Sequence, residues 1–192
     1  MRSSRADVLA FWFGREGEPG YGEFRSEWFQ KDEAFDRAVA DRFGILHGRA
    51  AAGELDAWRD EAEGCLALVI VLDQFPRNMF RGDARTHATD GQALDAAKHA
   101  IERALDRELP TFQRMFLYMP FMHAENVEDQ RRAVELFEGL AAEPGGPDVV
   151  EYAVGHRKIV ERFGRFPHRN AILGRETTPE EAEFLTQPGS SF

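Results

Sequence analysis

One cysteine in 192 residues, Cys65, leaves no internal disulfide to hold the fold. It lies inside an apolar run and reads as a small core residue, not a nucleophile. Long apolar stretches are also scarce. The longest unbroken one, residues 66–72, is far short of the roughly 20 residues that cross a bilayer. The early VLAFWFG patch is short and no small-residue cleavage site follows it, so no secretion signal is expected. Basic residues are the minority, 24 against 34 acidic, and the formal net charge of -10 excludes a broad nucleic-acid or anionic-membrane surface. A cytoplasmic protein without nucleic-acid or membrane partners is expected, and any anion site must be local. GxGxxG, the P-loop and GxSxG are all missing, which argues against the standard nucleotide folds and a nucleophile elbow. Alternating apolar and polar runs rich in valine, isoleucine and threonine are missing too, so strands have little support.

What the chain has is helical periodicity. Its length fits one domain, 1–192 with a core from about 8 to 185, able to bury roughly 70% of the unfolded surface. Ser4 caps a short helix that Gly14 stops, and Phe11, Trp12 and Phe13 are too many aromatics to leave exposed. After a glycine-rich loop to Gly22, a helix is predicted from about Asp32 to His47, ended by Gly48. Residues 65–82, CLALVIVLDQFPRNMFRG, organise the rest: an all-round apolar segment belongs at the centre of a core, and its polar end must then find partners beside that core.

Further on, Thr89 to Gln92 has the form of a capping box, followed by an amphipathic stripe to Leu105. Phe112, Met115, Phe116 and Met119 repeat at helical spacing, Pro120 should kink or end that helix, and the period continues to His123. Asn126 is the N-cap of the next helix. Past the EPGGP break, Tyr152, Ala153, His156, Ile159 and Val160 share a stripe that is predicted to be buried. Thr178, Pro179 and Glu181 form a last capping box. The domain reads as all-α, with no repeat consensus.

Two places carry chemistry. Asp73, Arg77 and Arg81 stand four apart and share a side if helical geometry persists past Pro76, with Gln74 and Asn78 beside them. Residues 162–175 form a basic island, Arg162, Arg165, Arg169 and Arg175 with His168 and Asn170 and no acidic residue. LDQFPRN and FGRFPHRN echo each other across these two places. Arginine's planar fork suits carboxylate or phosphate, so one reading is a clamp for an anionic small molecule. The other is an ion network in which Asp73, Glu125 and Asp129 neutralise the same arginines. His156 is the candidate proton-transfer group, supported by His123 and Glu125; converging on Asp73 they would supply a base, an orienting carboxylate and anion donors. A metal on His123, Glu125, His156 and Asp73 is disfavoured, because His-x-Glu lacks the i, i+4 pairing and the arginines repel a cation. No cofactor is expected. His47, His87 and His99 read as surface residues.

LDQFPRNMFRG, ATDGQAL, RMFLYMPFMHAE and HRKIVERFGRFPHRNAILGRETTPEEAEFL resemble the bacterial domain-of-unknown-function family 924 from about Val8 to Leu185. The resemblance implies an all-helical, tetratricopeptide-like stack of antiparallel hairpins and no established activity. By position it carries over Asp73, Gln74, Arg77, Asn78, Arg81, Asp90, His123, Glu125, Gln130, His156, Arg165, His168, Arg169, Asn170 and Arg175. The expectation is a pocket for an anionic ligand, with Arg77, Arg81, Arg165 and Arg169 holding the anion. The alternative is a helical interaction module for a peptide or protein partner, in which the polar cluster is only a brace.

Overall fold

The apolar run is helical and has no exposed face. In the computed structural model, which describes residues 3–191, Leu66 to Val71 are wholly buried and Leu72 nearly so. The rod they belong to has three parts: helix α3 (Ala62–Val69), a π turn (Ile70–Gln74) and helix α4 (Phe75–Met79). Pro76 does not end it. Proline cannot donate to the carbonyl one turn back, and helices survive this only where the freed carbonyls find other donors. Here the π turn lets Phe75 N–H bond Ile70 O, five residues back. The Leu72 carbonyl accepts from Thr89 Oγ1 at 2.6 Å, and the Asp73 carbonyl accepts from Arg77 Nη1 at 2.6 Å.

Thr89 therefore does not close the predicted capping box. It stands at the N-cap of α5 (Asp90–Glu102) but makes no cap hydrogen bond, because its hydroxyl serves the central rod. Thr89→Val keeps the shape and orphans a buried carbonyl, so a loss of about 1 to 3 kcal/mol in urea unfolding is expected. A variant as stable as wild type would show that the Leu72 carbonyl needs no donor.

Other elements pack around this rod. Helix α1 (Arg5–Phe13) has the reciprocal Ser4–Asp7 capping box, ends at Gly14 and lies on α3. Helix α2 (Glu33–Ala51), capped by Asp32, lies on α4 and runs straight through Gly48, which the sequence reading makes a stop; the chain turns at Gly53, whose φ is 78°. An exposed glycine inside a helix costs only about 1 kcal/mol, less than tertiary packing returns. Helix α6 (Thr111–His123) carries Pro120 inside it without ending, and packs on α3 and α5. Its partner α7 (Val127–Ala141) pairs in turn with α8 (Val150–Phe163), and short connections make these successive neighbours antiparallel hairpins. Helix α9 (Pro179–Leu185) closes the fold against the 167–169 turn. Among the described residues there is no strand, and the protein is all-α as expected.

The aromatics near the N-terminus fill the space between α1, α2 and the rod. Trp12 meets Phe75 and Phe116 edge-on at 5.7 and 5.6 Å, and Phe43 stacks on Phe75 at 4.7 Å. Cys65 is wholly buried, and burial pushes its thiol up to about 11, consistent with a packing role. Tyr152 departs from the expected stripe. It is 63% exposed, while Ala153, His156, Ile159 and Val160 face inward.

Candidate functional site

The π turn delivers Asp73 into the interior, wholly buried, where α6 and α5 supply its company. Its Oδ1 lies 2.8 Å from His123 Nδ1, and its Oδ2 accepts from Gln74 Nε2 at 2.6 Å. Arg77, one turn on, stands 3.4 Å from Asp73 Oδ1 and donates through both terminal nitrogens to Asp90, at 2.9 and 3.2 Å. Asp90 also receives His87 Nδ1 at 3.1 Å and lies 3.5 Å from Arg169 Nη1. Asp73, Arg77, Asp90 and Arg169 thus alternate in sign. Burial alone would raise the pKa of both aspartates, yet Arg77, joined by His123 at Asp73 and by His87 at Asp90, holds both below the usual carboxylate range.

With Asp73 ionised and able only to accept, His123 keeps its proton on Nδ1 and presents Nε2 as the basic nitrogen. Burial and the Arg77 charge lower the His123 pKa despite the carboxylate, so the imidazole is neutral.

The C-terminal corner forms the other wall. His156 Nδ1 donates to the Tyr152 carbonyl at 2.8 Å, and its ring lies 6.4 Å from that of His123 and 5.5 Å from that of Phe166. His168 sits 5.6 Å from Phe166. Burial brings His156 down to about 3 and His168 to about 4, with the Arg169 charge adding to both. Arg169 lies over the Phe166 ring, 4.4 Å from its centroid, and donates to the His123 carbonyl at 3.0 Å. It is 6% exposed and its Nε is buried with no hydrogen-bond partner among the described residues. Burial and the nearby Arg77 bring Arg169 down to about 10. Gln130, wholly buried, completes this end of α6 by donating to the Met122 and Ala124 carbonyls at 2.6 and 2.8 Å.

Other residues expected in one pocket are spread over separate networks. Asn78 and Arg81 both grip Asp36 of α2, at 2.7 Å and at 2.6 and 3.0 Å. Arg165 pairs with Glu181 at 2.7 and 2.8 Å, and Asn170 donates to the same carboxylate at 3.2 Å. Among the described residues Glu125 makes no hydrogen bond to a histidine: it accepts from Phe166 N at 2.8 Å and from both terminal nitrogens of Arg175. Asp129 neutralises Lys98, at 2.6 Å, and none of the arginines among the described residues. Asp73 and Glu125 do balance arginines, but different ones.

His87 belongs to the site, and His47 and His99 are half-buried, so none of the three is a plain surface residue. Asp90 and His87, three apart where a short 3-10 turn meets the start of α5, are detectable as a pair in sequence. Asp36 and Glu181 lie far along the chain from the arginines they hold, and no local pattern marks them. Among the described residues, no group of three or more histidine, cysteine, aspartate and glutamate side chains could hold a metal ion.

These features define an all-helical protein with a buried histidine, arginine and carboxylate cluster between its central rod and its C-terminal corner. No helix among the described residues is long and apolar enough to cross a membrane. The chain belongs to the family of bacterial proteins of unknown function DUF924, whose model matches residues 8–189. It is similar to a solved protein of unknown function from Agrobacterium tumefaciens, at 48% identity over 94% of this chain and 96% of that one, with a TM-score of 0.82. No curated protein matches.

Proposed function

We propose that the protein binds a small anionic molecule, a carboxylate or phosphate, at Arg169 between His123, His156 and His168, with the Asp73–His123 pair as its proton-transfer group. The observation that carries this reading is Arg169 itself: a buried guanidinium whose Nε has no hydrogen-bond partner among the described residues, beside two carboxylates that are engaged chiefly with Arg77 and the histidines. Neutral imidazoles around it supply no counter-charge, and an anion would. The rim of Arg77, Asp90, His87 and His123 is partly exposed and offers the approach. His123, oriented by Asp73 and unprotonated, has the state a general base needs. Arg81, Arg165 and Arg175 are each matched by a carboxylate, which supports a bracing role for the outer shell and narrows the anion contacts to Arg169 and Arg77.

Arg169→Met separates a binding group from a brace. Removing a desolvated, incompletely matched charge and leaving an apolar chain over Phe166 is expected to leave stability unchanged or raise it by about 1 kcal/mol. The same change should abolish the melting-temperature increase that phosphate or carboxylate metabolites give the wild type. A loss of about 3 kcal/mol or more, with no anion stabilising the wild type, would make Arg169 a brace and end the proposal.

A further inference from the structure

We infer a second ligand site, remote from the histidine cluster, in the cleft between α1, the loop of residues 14–25 and α2, fitted to a planar aromatic carboxylate. The cleft holds about 430 Å³, within the range of small-molecule sites, and is lined by Phe11, Phe24, Pro19, Gly20, Arg25 and Arg42.

Its two arginines are in different states. Arg25 is spent on the fold, donating through Nη1 to the Phe11 and Trp12 carbonyls at 2.8 and 3.0 Å, with Nη2 3.6 Å from Glu27. Arg42 makes no ion pair among the described residues. Its guanidinium lies over the rings of Phe11 and Phe43, 4.8 and 5.3 Å from their centroids, an arrangement that fixes the fork while leaving its edge for an acceptor. Asp7, which feels the Arg42 charge, is committed to the Ser4 capping box.

The apolar half of the site is Phe24. It is 73% exposed, yet held in a definite place by stacking on Phe29 at 5.7 Å, with ring planes 13° apart, and by an edge contact to Trp28 at 6.2 Å. A ring held rigid in water next to an unmatched guanidinium matches a ligand that is flat and apolar at one end and anionic at the other. Glu23, on the same wall, disfavours a second negative charge and selects a monoanion.

The test is titration of isotope-labelled full-length protein with benzoate, followed by amide chemical shifts. Saturable shifts at residues 19–25 and at Arg42 are expected, with a dissociation constant in the millimolar range proper to so small a probe. Arg42→Met and Phe24→Ser should each weaken binding about tenfold or more, and neutral benzamide should bind about tenfold more weakly than benzoate. Phe24 is largely exposed, so Phe24→Ser keeps the test valid should Arg42→Met disturb the rings beneath it. Arg169→Met should bind benzoate here as wild type does, which separates this cleft from the histidine cluster. Absence of saturable shifts at these residues, binding undiminished in Phe24→Ser, or shifts confined to the surroundings of His123 and Arg169 would overturn the inference.

Discussion

Asp73→Ala is expected to lose about 3 to 5 kcal/mol of unfolding free energy in urea, the range found when one member of a buried charge pair is deleted. Asp73 is wholly buried and accepts from His123 and Gln74 beside Arg77, so its removal takes the acceptor from two donors and one of two counter-charges from Arg77. Arg77 would retain Asp90, but Asp90 would then face Arg77 and Arg169 alone, and the rod would carry an uncompensated cation at its π turn. The comparison that isolates burial is Glu180→Ala. That carboxylate pairs with Arg162, and both side chains are about half-exposed and can turn to water, so a loss of about 1 kcal/mol or less is expected. Equal losses in the two variants, or less than about 1 kcal/mol from Asp73→Ala, would show that the interior network contributes no more than a surface ion pair.

Stability should also fall steeply with acidification, beginning near pH 6.5. His123, His156 and His168 are all lowered from the ordinary imidazole value, mainly by burial. Below about pH 6.5 the unfolded chain takes up protons that the folded chain refuses. The stability these groups contribute is therefore complete above the unfolded pKa and is lost as pH falls towards the folded values, about 4 for His168 and about 3 for His156. Each group that stays neutral removes about 1.4 kcal/mol per pH unit, so His156 alone is worth on the order of 5 kcal/mol across its window.

Asp73 and Glu181 act in the same direction but later. Burial opposes the depression of Asp73, while hydrogen bonding from Arg165 holds Glu181 at about 2, and their share is lost only below the unfolded carboxylate range near pH 4. Urea unfolding followed at pH 7.5, 6 and 5 checks the order of events. A flat profile between pH 7 and 5 would mean that the histidines are solvated and protonate freely.

The parts of the fold legible in the sequence are those decided within one helical turn. Ser4, Asn126 and Thr178 bond backbone amides two or three residues away, and each was placeable from the local string alone. The all-α class and the burial of residues 66–72 follow from periodicity in the same way. Thr89 shows where this stops: its neighbours spell a capping box, but a carbonyl orphaned by a proline 13 positions earlier claims the hydroxyl. Gly48 and Pro120 look like stops and are overruled by packing on both sides.

In the candidate site, Asp73 with Arg77 and the burial of His156 were readable from spacing. The partition of the remaining arginines among Asp36, Glu125 and Glu181 was not, because each pairing closes a loop whose length leaves no imprint on either end. His87 reads as solvated because it stands in a short polar stretch; Asp90, three residues on, is a legible partner, and what the local string does not show is that Arg77 draws the pair into the cluster.

The bond from Thr89 to Leu72 makes two segments of the chain conditional on each other. Beyond Pro76 the rod lacks one internal donor, and the Leu72 carbonyl is satisfied by the protein only when the start of α5 is in place. The segment that carries Arg77 and Asn78 and the segment that carries Asp90 are therefore energetically coupled, since either one opening leaves a buried group of the other without its partner.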